Sequence, residues 1–496
     1  MSTPMFKGRA KKVVEGRNGR LFITDFGAPD TDPMLTEAPL AAWRLRRWRL
    51  TLEHHARILA QRGIPLVMLI APDAYTAWAD DLPDGWPRPN HELGRLFAET
   101  MAGIPNLTVL NPLAALRQAQ GGLPTGKKHD THWSVYAAFI AYRQMIAALP
   151  PELPIRRIGA DEVSYAWRDE YGDLGANAEF DIKGPVARAI VDGPQPEIVR
   201  RSMGLHLRSF AIGRSAGPTA RALMLRDSFA AEMYPFIFPT FGELWFVGPT
   251  LDIDQNLIAA ARPDVVILQT CERMLVHHAP YYEHFGWREL FDIDATSPAG
   301  KLCWRMAEAY EYHGAEAAVG MASQVAAADG LQAQHLVHCA QLCLRTGQLE
   351  QGRAYARRAV QLDRALPTAW RLLANTLSAD PDGDEDAWRK AARRMLRLAP
   401  YNPRSRHDYA YGLVRFGRRD EAVADLRLAI EAFPHYPELR LLLGRLLRRA
   451  GDRPGATEVL APAVDLLDPA SDQQQAAARF VAGGPWKLAG GEGRGA

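Results

Sequence analysis

Apolar positions along the first 300 residues fall into two kinds of run. Between Leu40 and Gly63, the residues Leu45, Trp48, Leu52, Ala56 and Leu59 recur at three- and four-residue spacings. That is one face of an amphipathic helix, with Gly63 as its stop. The segment IPLVMLIAPD (64–73) is then almost continuously apolar and closes on Pro72, the pattern of a strand buried on both faces. Four further runs read the same way: NLTVLNP (106–112), RALMLRD (221–227), ELWFVG (243–248) and DVVILQT (264–270). Helical patterns lie between several of them, the clearest being WSVYAAFIAYRQMIAAL (133–149). Short apolar strands alternating with amphipathic helices predict a mostly parallel sheet covered on both faces, a three-layer α/β domain over residues 1–300. Such sheets bind ligands beyond the carboxyl ends of their strands. Chemistry is therefore expected just past Ile70, Leu225 and Leu268.

From about residue 305 the strand patterns stop and the chain reads as helical. Gly347, Gly383, Gly417 and Gly451 recur at spacings of 36, 34 and 34, and Pro400 and Pro434 are 34 apart. Alanines follow the last two glycines at +5 and +12 (Ala422 and Ala429, Ala456 and Ala463), and Gly352 and Ala359 hold those offsets after Gly347. A small residue also stands seven before the glycine, as Ala340, Ala410 and Gly444. Small residues at these places let two antiparallel helices approach closely, and the glycine turns the chain between them. The period and pattern resemble the tetratricopeptide repeat, an all-α solenoid, over residues 305–470. The 370–400 unit departs from it with Trp388 at an alanine position, and a unit near Gly314 is weaker. About four repeats are expected, followed by a partly disordered tail over 471–496.

Composition changes this picture little. The chain is 47% apolar and 23% charged with a formal net charge of +2, so no acidic partner such as nucleic acid is called for. Arg44, Arg46, Arg47 and Arg49, interleaved with Trp43 and Trp48, read as a solvated helix surface. Four cysteines make no disulfide framework and fit a reducing compartment. Two of them, Cys339 and Cys343, share one helical pattern with His335 and His338, where a repeat helix packs small side chains. They read as core rather than as metal ligands. The N-terminal residues show no apolar signal segment, which gives a cytoplasmic expectation, with a periplasmic alternative if the start codon is misassigned.

Two short stretches carry chemistry. His129-Asp130-Thr131-His132-Trp133-Ser134 precedes the helical pattern 133–149, and Arg226-Asp227-Ser228-Phe229 follows a buried-strand pattern. A serine nucleophile needs a base within hydrogen-bond reach, and that base needs an orienting carboxylate. Asp130 and His132 flank a single residue, so both can project to one side. Ser228 lies where a strand turns into a helix, and the N–H groups that follow it there could hold an oxyanion. Read structurally, Asp130 or Thr131 would cap the helix 133–149, and Asp227 or Ser228 the next one.

At these residues the sequence resembles the SGNH-hydrolase-like domain of the alginate O-acetyltransferase family, the AlgJ/AlgX type. That family carries an Asp-x-His-Trp motif upstream of a Gly-Asp-Ser-Phe motif, in the order of Asp130-Thr131-His132-Trp133 and Asp227-Ser228-Phe229. The resemblance takes in Gly16 to Phe22, the strand ending Ala71-Pro72, and Pro263 to Arg273, covering roughly residues 12–290. It implies Ser228 as nucleophile, His132 as general base and Asp130 as its orienter, with no cofactor and no metal. It also implies transfer or hydrolysis of an O-acyl group, acetyl above all, on a polysaccharide or glycan. The acyl donor is unspecified, and the repeats imply a protein partner. Trp133, Arg226, Arg273 and Tyr75 are the expected substrate contacts. The family pattern is broken by Arg226 in place of the glycine and Arg20 in place of a tryptophan. A bulky cation beside the nucleophile either narrows the pocket or attracts an anionic substrate. The alternative reading is a catalytically silent glycan-binding scaffold, with Arg226 filling the space above Ser228.

Overall fold

The computed structural model describes residues 13–24, 40–87, 92–119, 122–176, 179–203, 209–251, 253–277 and 293–487. The chain divides into two compact units. One comprises residues 1–200, 211–251 and 261–279, and the other comprises 201–210, 252–260 and 280–496.

In the N-terminal half the strands are β1 (Val13–Glu15), β2 (Leu21–Ile23), β3 (Leu66–Ala71), β4 (Leu107–Leu110), β5 (Val163–Tyr171), β6 (Lys183–Val191), β7 (Glu197–Met203), β8 (Ser209–Arg214), β9 (Arg221–Arg226), β10 (Glu243–Gly248) and β11 (Val265–Cys271). Seven form one sheet in the order β4-β3-β11-β9-β10-β8-β7. The pairs β4/β3, β3/β11, β11/β9 and β9/β10 are all parallel. These five strands are the five apolar runs of the sequence. Every residue of β3 and of β11 is buried, as strands covered on both faces require.

Helices of this half include α1 (Ala42–Ala60) and α2 (Val135–Ala147). On the α2 side the core gathers Trp133, Tyr142, Met145, Phe236, Phe238 and Phe241 over Val67, Leu69, Met224 and Ile267. The Tyr142 hydroxyl, buried there, finds Thr240 Oγ1 at 2.7 Å, as a polar group in an apolar core must. The arginine cluster of α1 corrects the expectation of a solvated surface. Arg47 and Trp48 are buried, Arg44 donates to the Val276 carbonyl and Arg49 to the Thr100 carbonyl. The helix packs through them because long arginine stems cover apolar surface while their heads reach backbone acceptors.

Strands β5 and β6 pair antiparallel as a separate two-stranded sheet. Their side chains are mostly exposed or half-buried, so they lack the continuous apolar run that betrayed the five central strands.

The second unit holds four consecutive helix pairs: Ala333–Arg345 with Leu349–Leu362, Pro367–Ala379 with Glu385–Leu398, Pro403–Arg415 with Arg419–Ala432, and Pro437–Arg449 with Arg453–Val464. The alanines singled out by the 34-residue period, Ala340, Ala359, Ala410, Ala422, Ala429, Ala456 and Ala463, are all buried. The departure at Trp388 is compensated across the helix pair. A Cβ on Gly412 would fall 2.3 Å from the Trp388 ring, so the glycine vacates the volume that the indole fills. The array runs past residue 470. Asp472–Val481 is a further helix that buries Ala476, Ala477 and Phe480, and apolar spacing at 476, 477 and 480 explains why it folds onto its predecessor. Residues 488–496 lie outside the described residues. No helix among the described residues is long and apolar enough to cross a membrane.

Candidate active site

The strand order places the carboxyl ends of β3, β11 and β9 side by side, and each ends in charge: Asp73, Glu272-Arg273 and Asp227. All four side chains are buried. Arg273 Nε donates to Asp73 Oδ2 at 2.5 Å. Glu272 accepts the Asp73 N–H at 2.9 Å and the Gly94 N–H at 2.8 Å. Burial pushes the Glu272 carboxyl up to about 7 in spite of these hydrogen bonds. Asp227 accepts the Phe229 N–H at 2.8 Å through Oδ1 and the Cys271 N–H at 2.6 Å through Oδ2. One ion pair and two carboxylates that accept backbone N–H groups thus form a buried layer at these strand ends, and Ser228 is the residue that follows Asp227.

Ser228 is exposed and opens a 3-10 turn, Ser228–Met233, that Asp227 caps. Its Oγ lies 2.8 Å from His132 Nε2, and His132 Nδ1 lies 2.7 Å from Asp130 Oδ1. The two contacts are satisfied together by one tautomer: Nδ1–H donates to the carboxylate and Nε2 accepts from the serine hydroxyl. Asp130 does not cap helix α2; Ser134 does, accepting the Ala137 N–H at 3.2 Å. The Asp130 carboxylate is thereby left for His132, whose backbone N–H it also accepts at 2.9 Å. Burial alone would raise the Asp130 carboxyl, but the His132 hydrogen bond and the Lys127 ammonium hold it well below the usual carboxylate range. Lys127 Nζ is 3.8 Å from Asp130 Oδ2 and 2.6 Å from Glu232 Oε1.

Three of the four expected substrate contacts are buried. Trp133 is buried, and its indole N–H donates to the Phe229 carbonyl at 2.9 Å, tying the two motif segments together. Tyr75 is buried, donates its hydroxyl to the Ile23 carbonyl and stacks on Phe22. Arg273 is consumed by its ion pair with Asp73. The polar ends of all three are engaged inside the domain. Arg226 is half-buried, with its guanidinium 4.8 Å from the Phe246 ring centroid and Nη1 donating to its neighbour's carbonyl, that of Asp227. The scaffold reading asked for this side chain above Ser228, and its stacking is instead on β10. Of the N–H groups expected to hold an oxyanion, that of Phe229 is occupied by Asp227.

Sequence reasoning missed Asp173, in the connection between β5 and β6. Its carboxylate takes both the N–H and the hydroxyl of Thr131, each at 2.7 Å, and its Oδ2 is 4.0 Å from His132 Nδ1. Among the described residues, Asp130, His132 and Asp173 form the one group of metal-ligand type with atoms within 4.8 Å of one another. The donor set favours a hydrogen-bond relay over an ion, since Nδ1 has no lone pair to offer while it donates to Asp130. A cavity of about 620 Å³ opens on the Asp130 side, lined by Arg20, Trp78, Lys127, Lys128 and Glu170 among others. Arg20, the residue standing where the family has tryptophan, binds Asp81 and the Lys127 carbonyl in its wall.

Residues 13–201 match the family described as SGNH hydrolase-like domain, acetyltransferase AlgX. The chain carries an AlgX-type SGNH hydrolase-like domain. The match includes Asp130, His132 and Asp173 and ends before Ser228, which the fold alone brings to them. Residues 413–480 match the tetratricopeptide repeat, so the second unit is an array of that type. A search of curated proteins returns no match. Solved structures that align with the chain include PatB1 of Bacillus cereus, at 11% identity over 55% of this chain and 99% of that one, TM-score 0.42. The O-acetyltransferase domain of Pseudomonas putida AlgJ aligns at 16% identity over 54% of this chain and 93% of that one, TM-score 0.40. A thermophilic tetratricopeptide protein of Thermus thermophilus covers 37% of this chain and 99% of its own, at 16% identity and TM-score 0.32.

Proposed function

We propose that the AlgX-type domain transfers an acyl group, acetyl in the first instance, through an acyl-Ser228 intermediate to a hydroxyl of a polysaccharide or cell-surface glycan, or to water. The observation that carries this reading is the continuous relay Ser228 Oγ–His132 Nε2, His132 Nδ1–Asp130 Oδ1, with contacts of 2.8 and 2.7 Å. Ser228 Oγ adds to the donor carbonyl while His132 Nε2 takes its proton. Collapse of the tetrahedral intermediate breaks the bond to the donor's leaving group, which departs with that proton. The acceptor hydroxyl then gives its proton to His132 as its oxygen attacks the acyl-serine, and Ser228 leaves reprotonated. Asp130, ionised across the working pH range, stabilises the imidazolium formed in each half. The Ser228 N–H is the proposed oxyanion donor of the turn, and a donor of this kind is worth roughly 10²–10³ in kcat. The tetratricopeptide array is proposed to bind a protein partner that brings donor or acceptor to the domain.

The test is turnover of a chromogenic acetyl ester by the wild type, Ser228→Ala and His132→Ala, with mass spectrometry of the trapped acyl-serine peptide. Ser228-dependent turnover and an adduct on Ser228 are expected. Equal rates for all three proteins would exclude the mechanism.

A further inference from the structure

The relay leaves one structural question open: what fixes the Asp130–His132 segment, which is neither helix nor strand. The answer lies in residues 172–175, which follow β5. The Leu174 and Gly175 N–H groups donate to the His129 carbonyl at 3.2 and 2.9 Å. The Asp173 N–H donates to Asp130 Oδ2 at 3.2 Å, on the oxygen that His132 does not use. The Asp173 carboxylate takes the Thr131 N–H and hydroxyl, both at 2.7 Å. Three consecutive residues ahead of the base, 129, 130 and 131, are thus each held by this one turn. The approach is close enough to need glycine. A Cβ on Gly172 would fall 2.0 Å from the His129 carbonyl oxygen and 2.8 Å from Asp130 Cβ, and one on Gly175 would fall 3.0 Å from His129 Cβ.

We propose that Asp173 is a positioning residue of the acyl-transfer site, setting the orientation of the His132 ring through Asp130 and Thr131 without touching substrate. The proposal rests on the acyl-transfer reading for its catalytic consequence. With both oxygens of Asp130 engaged, one by His132 and one by Asp173, the carboxylate has a single orientation. Thr131 is pinned at both its backbone and its hydroxyl, so the peptide leading into His132 has one as well. Replacing the carboxylate by an amide keeps its shape and removes one acceptor, so one of the two Thr131 bonds is lost. A reacting atom displaced by about 1 Å costs on the order of 10²-fold in rate.

Asp173→Asn and Asp173→Ala are compared with the wild type in the full chain by three measurements. These are kcat and KM on the chromogenic ester, the low-field NMR signal of the His132 Nδ1 proton (assigned by its loss in His132→Gln), and thermal unfolding. The expected result is a kcat lowered about 10–100-fold with KM changed less than about threefold, larger for Asp173→Ala. The low-field signal is expected to shift or broaden in both, while Asp173→Asn stays folded. Wild-type kcat and an unmoved signal in a folded Asp173→Asn protein overturn the proposal, as does a loss confined to KM. Should Asp173→Ala not fold, Asp173→Asn and Gly172→Ala carry the test, the latter pressing on the His129 carbonyl without altering any carboxylate. Turnover indifferent to Ser228→Ala would fail the acyl-transfer reading instead. The low-field signal would then still decide whether Asp173 orients His132.

Discussion

Asp227 Oδ2 accepts the Cys271 N–H at 2.6 Å, fastening the turn that presents Ser228 to the end of the neighbouring strand β11. Its other oxygen holds the Phe229 N–H at 2.8 Å. Asp227→Ala strands two buried donors, each costing about 1–3 kcal/mol. A fall of that order in urea unfolding free energy is expected, together with a drop in kcat, because the serine turn loses its anchor on both sides. Unchanged stability would show that water or another acceptor replaces the carboxylate.

Asp130→Asn keeps the size of the side chain but presents an amide that can turn its NH₂ toward His132 Nδ1. The imidazole then adopts the tautomer with its proton on Nε2, facing Ser228. A loss of about 10³–10⁴-fold in kcat is expected with little change in KM. Steady-state kinetics on the chromogenic ester checks it.

Glu272 gives a pH signature of stability. Its folded carboxyl is raised to about 7 from 4.5, so its contribution to stability is fully present below about 4.5 and is lost as pH rises through 7. The magnitude is on the order of 3 kcal/mol. Glu272→Gln does not titrate, and the destabilisation of the wild type between pH 5 and pH 8 is expected to shrink in this variant. Urea midpoints at the two pH values measure it, and an identical pH dependence in both proteins would reject the assignment.

In the array, Gly412→Ala places a methyl 2.3 Å from the Trp388 ring. Overpacking of this kind costs about 1–3 kcal/mol. Thermal unfolding should show the loss, and pairing the change with Trp388→Ala should relieve the clash while opening a cavity of its own.

The five strands legible in the sequence, β3, β4, β9, β10 and β11, are those in the parallel core, where apolar runs hardly interrupted by polar residues leave no ambiguity. The 34-residue period was legible for a related reason: each repeat must solve the same packing problem at the same positions. Strands β5 and β6 were not legible, since VSYAWRDEY and KGPVARAIV mix charged and apolar residues with most side chains exposed or half-buried. Asp173 was lost with them, because it belongs to a connection whose ends had not been recognised. The Asp130, His132 and Ser228 motifs could be read from residue type and order. Sequence does not tell a polar tip that faces a ligand from one engaged inside the domain, as those of Trp133 and Tyr75 are with backbone carbonyls and that of Arg273 is with Asp73.

The indole of Trp133, hydrogen-bonded to the Phe229 carbonyl at 2.9 Å, links the residue after the base directly to the residue after the nucleophile. The gap between Ser228 and His132 is therefore gauged across one side chain rather than along the 96 positions of chain separating them. Outside residues 172–175, which hold the segment before the base, changes of loop length in that long excursion leave the reach of the proton transfer unaltered so long as the gauge itself is kept.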